Sequence, residues 1–254
     1  VPKVRPFSER AVAAARRILD DAGVRDPEPI DVEAIAAKNG AMVVYGAMRT
    51  ARAMIVRRGR SAIVHIDQRH RGRAIARFTT AHELVHHVLH AHADHYRQCV
   101  TDYVVREEGD YEIEREANDG ATELLIPEHL GAPFCAGERA TVEAIDRLAR
   151  TFGTSFEMSA IRMTELTMAP CAVVSSENGR VKWAVESLTF PGTVRRGQRV
   201  GRGTVAARVA RGVRKDREEG VEGAVWKSRE GLVERAWRVG EGKVISWIVG
   251  VEGA

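Results

Sequence analysis

The sequence predicts an α+β fold in two parts, a first part of helices with a small β-sheet and a second part rich in strands. Three observations predict it. Apolar residues recur at helical spacing through much of the first two thirds, and three short β-branched runs interrupt them between residues 41 and 66. Beyond Ala169-Pro170 the texture changes from helical to alternating strands. The division reads as residues 1–168 and 169–254. A chain of 254 residues with 44% hydrophobic content can bury a full core.

The net charge of +4 and a pI near 9.1 are mildly basic and do not by themselves indicate nucleic acid. The excess is uneven. Arg49, Arg52, Arg57, Arg58, Arg60, Arg69, Arg71, Arg73 and Arg77 are opposed only by Asp67, and a second basic run extends from Arg195 to Lys215. Such runs are mostly solvated surface; the sharper reading is a docking face for an acidic partner or a phosphate backbone. Cys99, Cys135 and Cys171 are widely spaced and odd in number, which fits no disulfide framework and no paired-cysteine metal site. The first residues lack the apolar core of a signal peptide, and no apolar run is long enough to cross a bilayer. A soluble, cytoplasmic protein is expected.

Taken in order, Ser8 is a plausible N-cap for a helix whose Ala11, Val12, Ala15, Ile18 and Leu19 share a face up to Gly23. Asp31 can cap a short helix over Val32 to Lys38, which stops at Asn39-Gly40. Strands follow at 41–45, 53–56 and 61–66, the last two joined by a turn through Arg57-Arg58-Gly59-Arg60. His65 alternates with Val64 and Ile66; it is an ordinary sheet-surface residue or a substrate contact.

The next helix, over about 72–92, carries His82-Glu83-Leu84-Val85-His86. Residues four apart lie on one helical face, so both imidazoles can address a single zinc ion with Glu83 beside them. That is the layout of a zinc-dependent hydrolase, although two histidines and a glutamate also fit a plain polar face. His82 and His86 share a stripe with Ile75, Phe78, Val85 and Leu89, and burying such a pair is costly unless something binds them. His87, His90, His92 and His95 fall off the stripe or past its end and read as surface or helix-terminal residues.

A catalytic zinc needs a third protein ligand and an open position. A second helix over 112–125 offers candidates. Glu114 shares a small and apolar face with Ala117, Asn118, Ala121 and Leu125, whereas Glu116 lines up with Asp119, Gly120 and Glu123, which read as solvated. Glu114 is the better ligand. Asn118, one turn on, can orient a ligand by a hydrogen bond.

The run Phe78 to His90, followed by Glu114-x-Glu116-Ala117-Asn118 and Leu124-Leu125-Ile126-Pro127, resembles the ImmA/IrrE family of bacterial and phage zinc metallopeptidases. The similarity covers roughly residues 8 to 170, including the helix that begins at Asp31, the strand pair and Arg77. One departure is Gly120, where the family commonly has phenylalanine, and a looser second helix is the expected consequence. The resemblance implies a zincin-like catalytic domain with a thermolysin-like helical pair. It makes His82, His86 and Glu114 the Zn2+ ligands and Glu83 the catalytic base. It also implies a regulatory metallopeptidase whose protein substrate is a separate helix-turn-helix transcriptional repressor, in a stress or mobile-element response.

After Pro127, helices are expected over 141–150, with Thr141 at its start, and over about 155–167. The second could be mistaken for a DNA-reading helix, but only Arg162 is available to reach bases. The remainder reads as a β-rich accessory domain. It has a hairpin turning at Asn178-Gly179, strands at 224–227, 232–239 and 243–249, and a possible helix around 204–211. The competing reading is a zinc-stabilised regulatory protein that binds a repressor or DNA without cutting. His65, Tyr111 and the arginines of 69–77 are candidates for stabilising an oxyanion. Cys99, between the two motif helices, is either a free thiol or an inhibitory zinc ligand.

Overall fold

In this computed structural model of the chain, residues 8–48, 53–90, 108–136, 140–212, 219–221, 226, 228 and 231–250 are described. The elements run α1 (Glu9–Ala22), α2 (Val32–Lys38), β1 (Ala41–Gly46), β2 (Ala53–Arg58), β3 (Ser61–Asp67), α3 (Ala74–Leu89), α4 (Glu108–Leu125), α5 (Glu128–Cys135), α6 (Val142–Phe152) and α7 (Phe156–Leu166). They continue with β4 (Cys171–Glu177), β5 (Arg180–Glu186), α8 (Val205–Ala210), β6 (Glu219–Val221), β7 (Leu232–Gly240) and β8 (Lys243–Gly250). The fold is α+β, as expected. Two compact units form, one mainly from residues 6–131 with 148–155, the other mainly from 132–147 with 156–254.

In the first unit the Ser8 hydroxyl accepts the Ala11 N–H and starts α1, which buries Ala11, Ala14, Ala15, Ile18 and Leu19 and ends at Gly23 in the left-handed region. Asp31 caps α2 in the same way. The sheet has the order β1-β3-β2, with β2 and β3 antiparallel across the turn at Gly59 and Arg60, and β1 parallel to β3. α3 packs against all three strands and against α1, α2 and α4. It is therefore buried nearly all round, from Ala76 to Leu89, and not along one stripe alone.

The expected face assignment of α4 needs correction. Glu116, Asp119 and Glu123 are buried, because α1 covers them: the Ser8 hydroxyl donates to Glu116, the Ser8 N–H donates to Asp119, and Arg16 pairs with Glu123. His87 and His90 are also buried, His87 Nε2 lying 3.1 Å from the Asn39 carbonyl oxygen. Gly120 does not loosen the helix. A Cβ there would stand 2.8 and 2.9 Å from the two methyl carbons of Val85, so its absence lets α3 and α4 approach closely.

In the second unit the sheet order is β5-β4-β8-β7-β6, with the Asn178-Gly179 turn at positive φ in both residues, as a tight hairpin requires. Its core gathers Val174, Phe190, Val205, Trp226, Ala236 and Ile248. The buried Glu234 carboxylate accepts the Val205 and Ala206 N–H groups and the Ser246 hydroxyl, which fixes α8 on the sheet. Of the strand expected at 224–227, only Trp226 lies within the described residues. The helix α5, with Pro133 inside it, has no counterpart in the sequence reading.

The packing of Gly120 on Val85 gives a direct test. Replacing Gly120 by leucine forces side-chain atoms into a filled, β-branched contact and is expected to lower unfolding stability by about 1–3 kcal/mol. Urea titration followed by circular dichroism measures it. A variant as stable as the parent would contradict the close helix contact.

Candidate metal centre

Three side chains converge where α3 and α4 touch. His82 Nε2 and His86 Nε2 lie 3.0 Å apart, and the Glu114 carboxylate oxygens lie 3.2 Å from the first and 3.4 Å from the second. Donors held about 2.0–2.1 Å from a tetrahedral zinc stand about 3.3 Å from one another, so the residues fit that ion. Among the described residues this is the one group of three or more His, Cys, Asp or Glu side chains arranged to hold a metal. The helical spacing delivers it. One turn of α3 stacks the two imidazoles, and the opposing turn of α4 brings the carboxylate.

The two histidines are almost fully buried, while the Glu114 side chain is 43% exposed and leaves the group open on one side. Burial pushes His86 down to about 4, with the neighbouring His82 adding to the effect, so His86 is neutral and offers a lone pair at ordinary pH. Burial also disfavours the charged form of His82, but the Glu114 hydrogen bond and the Glu83 and Glu114 charges outweigh it and raise His82. Burial would raise Glu114; the two histidines outweigh it and hold that carboxyl well below its usual range.

The surrounding polar groups complete the site. His82 Nδ1 stands 3.0 Å from Asn118 Oδ1, the orienting contact the spacing suggested. His86 Nδ1 stands 3.2 Å from His90 Nδ1, and His90 Nε2 stands 2.8 Å from Glu116 Oε2. Sequence reading took His90 as a surface or helix-terminal residue; it is the C-cap of α3 but buried, and the four-residue spacing that links His82 to His86 also links His86 to His90. The Glu83 carboxylate is fully buried on the turn that carries His82.

Other candidates go elsewhere. The His65 ring is turned onto the backbone of Gly46. Arg69 pairs with Asp67, Arg71 lies 5.1 Å over the Tyr45 ring, and Arg77 donates to the Ile30 and Phe152 carbonyls. Cys99, His92, His95, Arg49, Arg52 and the side chain of Tyr111 lie outside the described residues.

A family profile described as Peptidase_M78, IrrE N-terminal-like domain, matches residues 38–164, half of the chain, and spans both helices of the centre. The chain belongs to this family. The M78 assignment agrees with the resemblance carried by the two motifs and brings a peptidase fold with it. No curated protein matches in sequence. Among solved structures, a Mycobacterium tuberculosis transcriptional regulator is similar in fold, with a TM-score of 0.65 at 14% identity over 96% of this chain and 77% of that one.

Metal uptake tests the M78 centre directly. Added Zn2+ is expected to raise the thermal midpoint of the wild-type protein, since a ligand at 100 times its Kd stabilises by about 2.7 kcal/mol. His86→Ala and Glu114→Ala should lose most of that shift in differential scanning fluorimetry. Equal shifts in both variants would place the ion somewhere else.

Proposed function

We propose that this chain is a zinc-dependent metallopeptidase, with His82, His86 and Glu114 as metal ligands and Glu83 as general base. The observation that carries the reading is the convergence of those three ligand atoms beside a fully buried carboxylate. Zn2+ bound there would act as a Lewis acid that lowers the pKa of water and polarises a peptide carbonyl. Glu83 accepts the proton of the attacking water and delivers it to the leaving amine nitrogen, so that the C–N bond breaks with the proton balance closed. Asn118 holds the His82 ring in the plane its ligand role requires.

The substrate in this reading is a separate helix-turn-helix transcriptional repressor, cut in a stress or mobile-element response. Membership of the M78 family and likeness to a protein described as a transcriptional regulator support a regulatory role. Direct DNA reading draws less support, because Arg162 is buried and paired with Glu165 at 3.4 Å. A cytoplasmic setting suits the buried Cys135 and Cys171, neither of which is in a disulfide, and burial pushes the Cys171 thiol up to about 12. Among the described residues no helix is long and apolar enough to cross a membrane.

Incubating the zinc-loaded protein with the repressor encoded nearest its gene, and following cleavage by mass spectrometry, tests the proposal. Cleavage should stop on chelation and return with Zn2+. Glu83→Gln, at unchanged metal content, should cut at least about 10²-fold more slowly. Cutting at the wild-type rate would remove Glu83 from the mechanism, and tight stoichiometric binding of an intact repressor would favour a non-proteolytic regulator.

A further inference from the structure

Behind the proposed ligands runs a buried line of polar atoms that the peptidase reading does not use. From His86 Nδ1 it passes to His90 Nδ1 at 3.2 Å, then from His90 Nε2 to Glu116 Oε2 at 2.8 Å. The other Glu116 oxygen, Oε1, accepts the Ser8 hydroxyl at 2.8 Å. Arg10 stands 3.7 Å from Glu116 Oε2 and donates to the Leu89 carbonyl at 2.8 Å, while Arg57 donates to the His90 carbonyl at 3.0 Å. His86 and His90 are 1% and 3% exposed and Glu116 is 9% exposed, so solvent does not supply alternative partners for the rings.

The donor and acceptor inventory of this line has one consistent solution for neutral rings. An ionised carboxylate only accepts, so His90 Nε2 carries its proton toward Glu116. A neutral imidazole has one N–H, which leaves His90 Nδ1 as an acceptor. His86 Nδ1 must then donate to it, and the His86 Nε2 lone pair faces Glu114 and His82. The opposite assignment would set a bare His90 Nε2 against a carboxylate oxygen in a buried site, two acceptors in contact. Asn118 does for His82 what His90 does for His86, through a single amide oxygen.

We infer that His90 and Glu116 are positioning residues of the metal centre, forming a relay that fixes the tautomer and ring orientation of His86 and is anchored on α1 by Ser8. The inference rests on the metal-centre reading above. Its consequence is that metal affinity depends on how α1 is seated, since Ser8 both caps α1 and holds Glu116. Partners of this kind that orient ligating histidines change metal affinity by about 10–100-fold when they are removed.

The decisive variant is Glu116→Leu, which keeps most of the side-chain bulk but offers His90 no acceptor. Two measurements are made on the full chain. Long-range ¹H–¹⁵N correlation spectra of histidine-labelled, metal-free protein report which ring nitrogens are protonated, and competition with a chromophoric chelator reports the Zn2+ Kd. In the wild type, His86 should be protonated on Nδ1 and His90 on Nε2. In Glu116→Leu that single tautomer pattern should be lost and the Kd should rise about 10-fold, with a smaller rise in Ser8→Ala. The thermal midpoint of the metal-free variant separates this from general loss of fold. His90→Ala should weaken binding at least as much; if either variant fails to fold, the other carries the test, and the wild-type spectra decide it if both fail. A folded Glu116→Leu with wild-type Kd and an unchanged His86 pattern overturns the relay, as does a wild type with His86 protonated on Nε2 alone. A wild-type protein that takes up no zinc overturns the metal-centre reading instead, while the histidine spectra still decide the relay.

Discussion

The close contact of α3 with α4 is the constraint on which the rest of the first unit depends. The Glu114 carboxylate reaches the two imidazoles, at 3.2 and 3.4 Å, across this helix pair. Gly120 provides that approach by leaving room for Val85, and Ala81, Ala117 and Ala121, all fully buried, keep the neighbouring positions small. The cost is a glycine inside a helix, roughly 0.5–1 kcal/mol relative to alanine. The close approach repays this by bringing together polar groups that would each be expensive to bury alone.

The same contact determines what α1 has to do. One face of α4 turns Glu114 toward α3, and the next presents Glu116, Asp119 and Glu123 to α1. Three carboxylates in a helix interface would normally force the helices apart. Here each has a partner at the α1 surface: the Ser8 hydroxyl and Arg10 for Glu116, the Ser8 N–H for Asp119, and Arg16 for Glu123. α1 thus has an apolar stripe that packs and a polar edge that neutralises α4, and the two duties are carried by different residues.

This division explains how far the sequence could be read. Spacing put both imidazoles on one helical face, and the structure brings Glu114 to them, although the reason given against Glu116, a solvated face, does not hold. The helices from α1 to α4 and the three strands were legible from local pattern too, as was the Asn178-Gly179 hairpin. The parallel pairing of β1 with β3 was not, since the order of strands in a sheet depends on contacts between distant segments. Glu116 was misread as solvated because periodicity says which residues share a face and not which element covers that face. Gly120 was misread for a related reason. A missing side chain looks like slack in a sequence, and only the position of Val85 turns it into a tight contact.

The buried histidines follow from the same logic of coverage. His82, His86 and His90 follow one another at four-residue spacing along α3 and its C-cap, each with a different polar neighbour: Asn118, His90 and Glu116. Were the three rings merely polar residues tolerated in a core, their outer nitrogens would suffice to satisfy them, and nothing would require two inner nitrogens to face one carboxylate 3.0 Å from each other. With their Nδ1 atoms engaged in this way, the two Nε2 atoms converge on Glu114, an arrangement that repels itself unless a proton or a cation sits between them. Burial disfavours a proton on His86 while the Glu114 and Glu83 charges favour one on His82, so the positive charge these three groups share is a proton on His82 or, in the proposed function, a bound metal ion that takes its place.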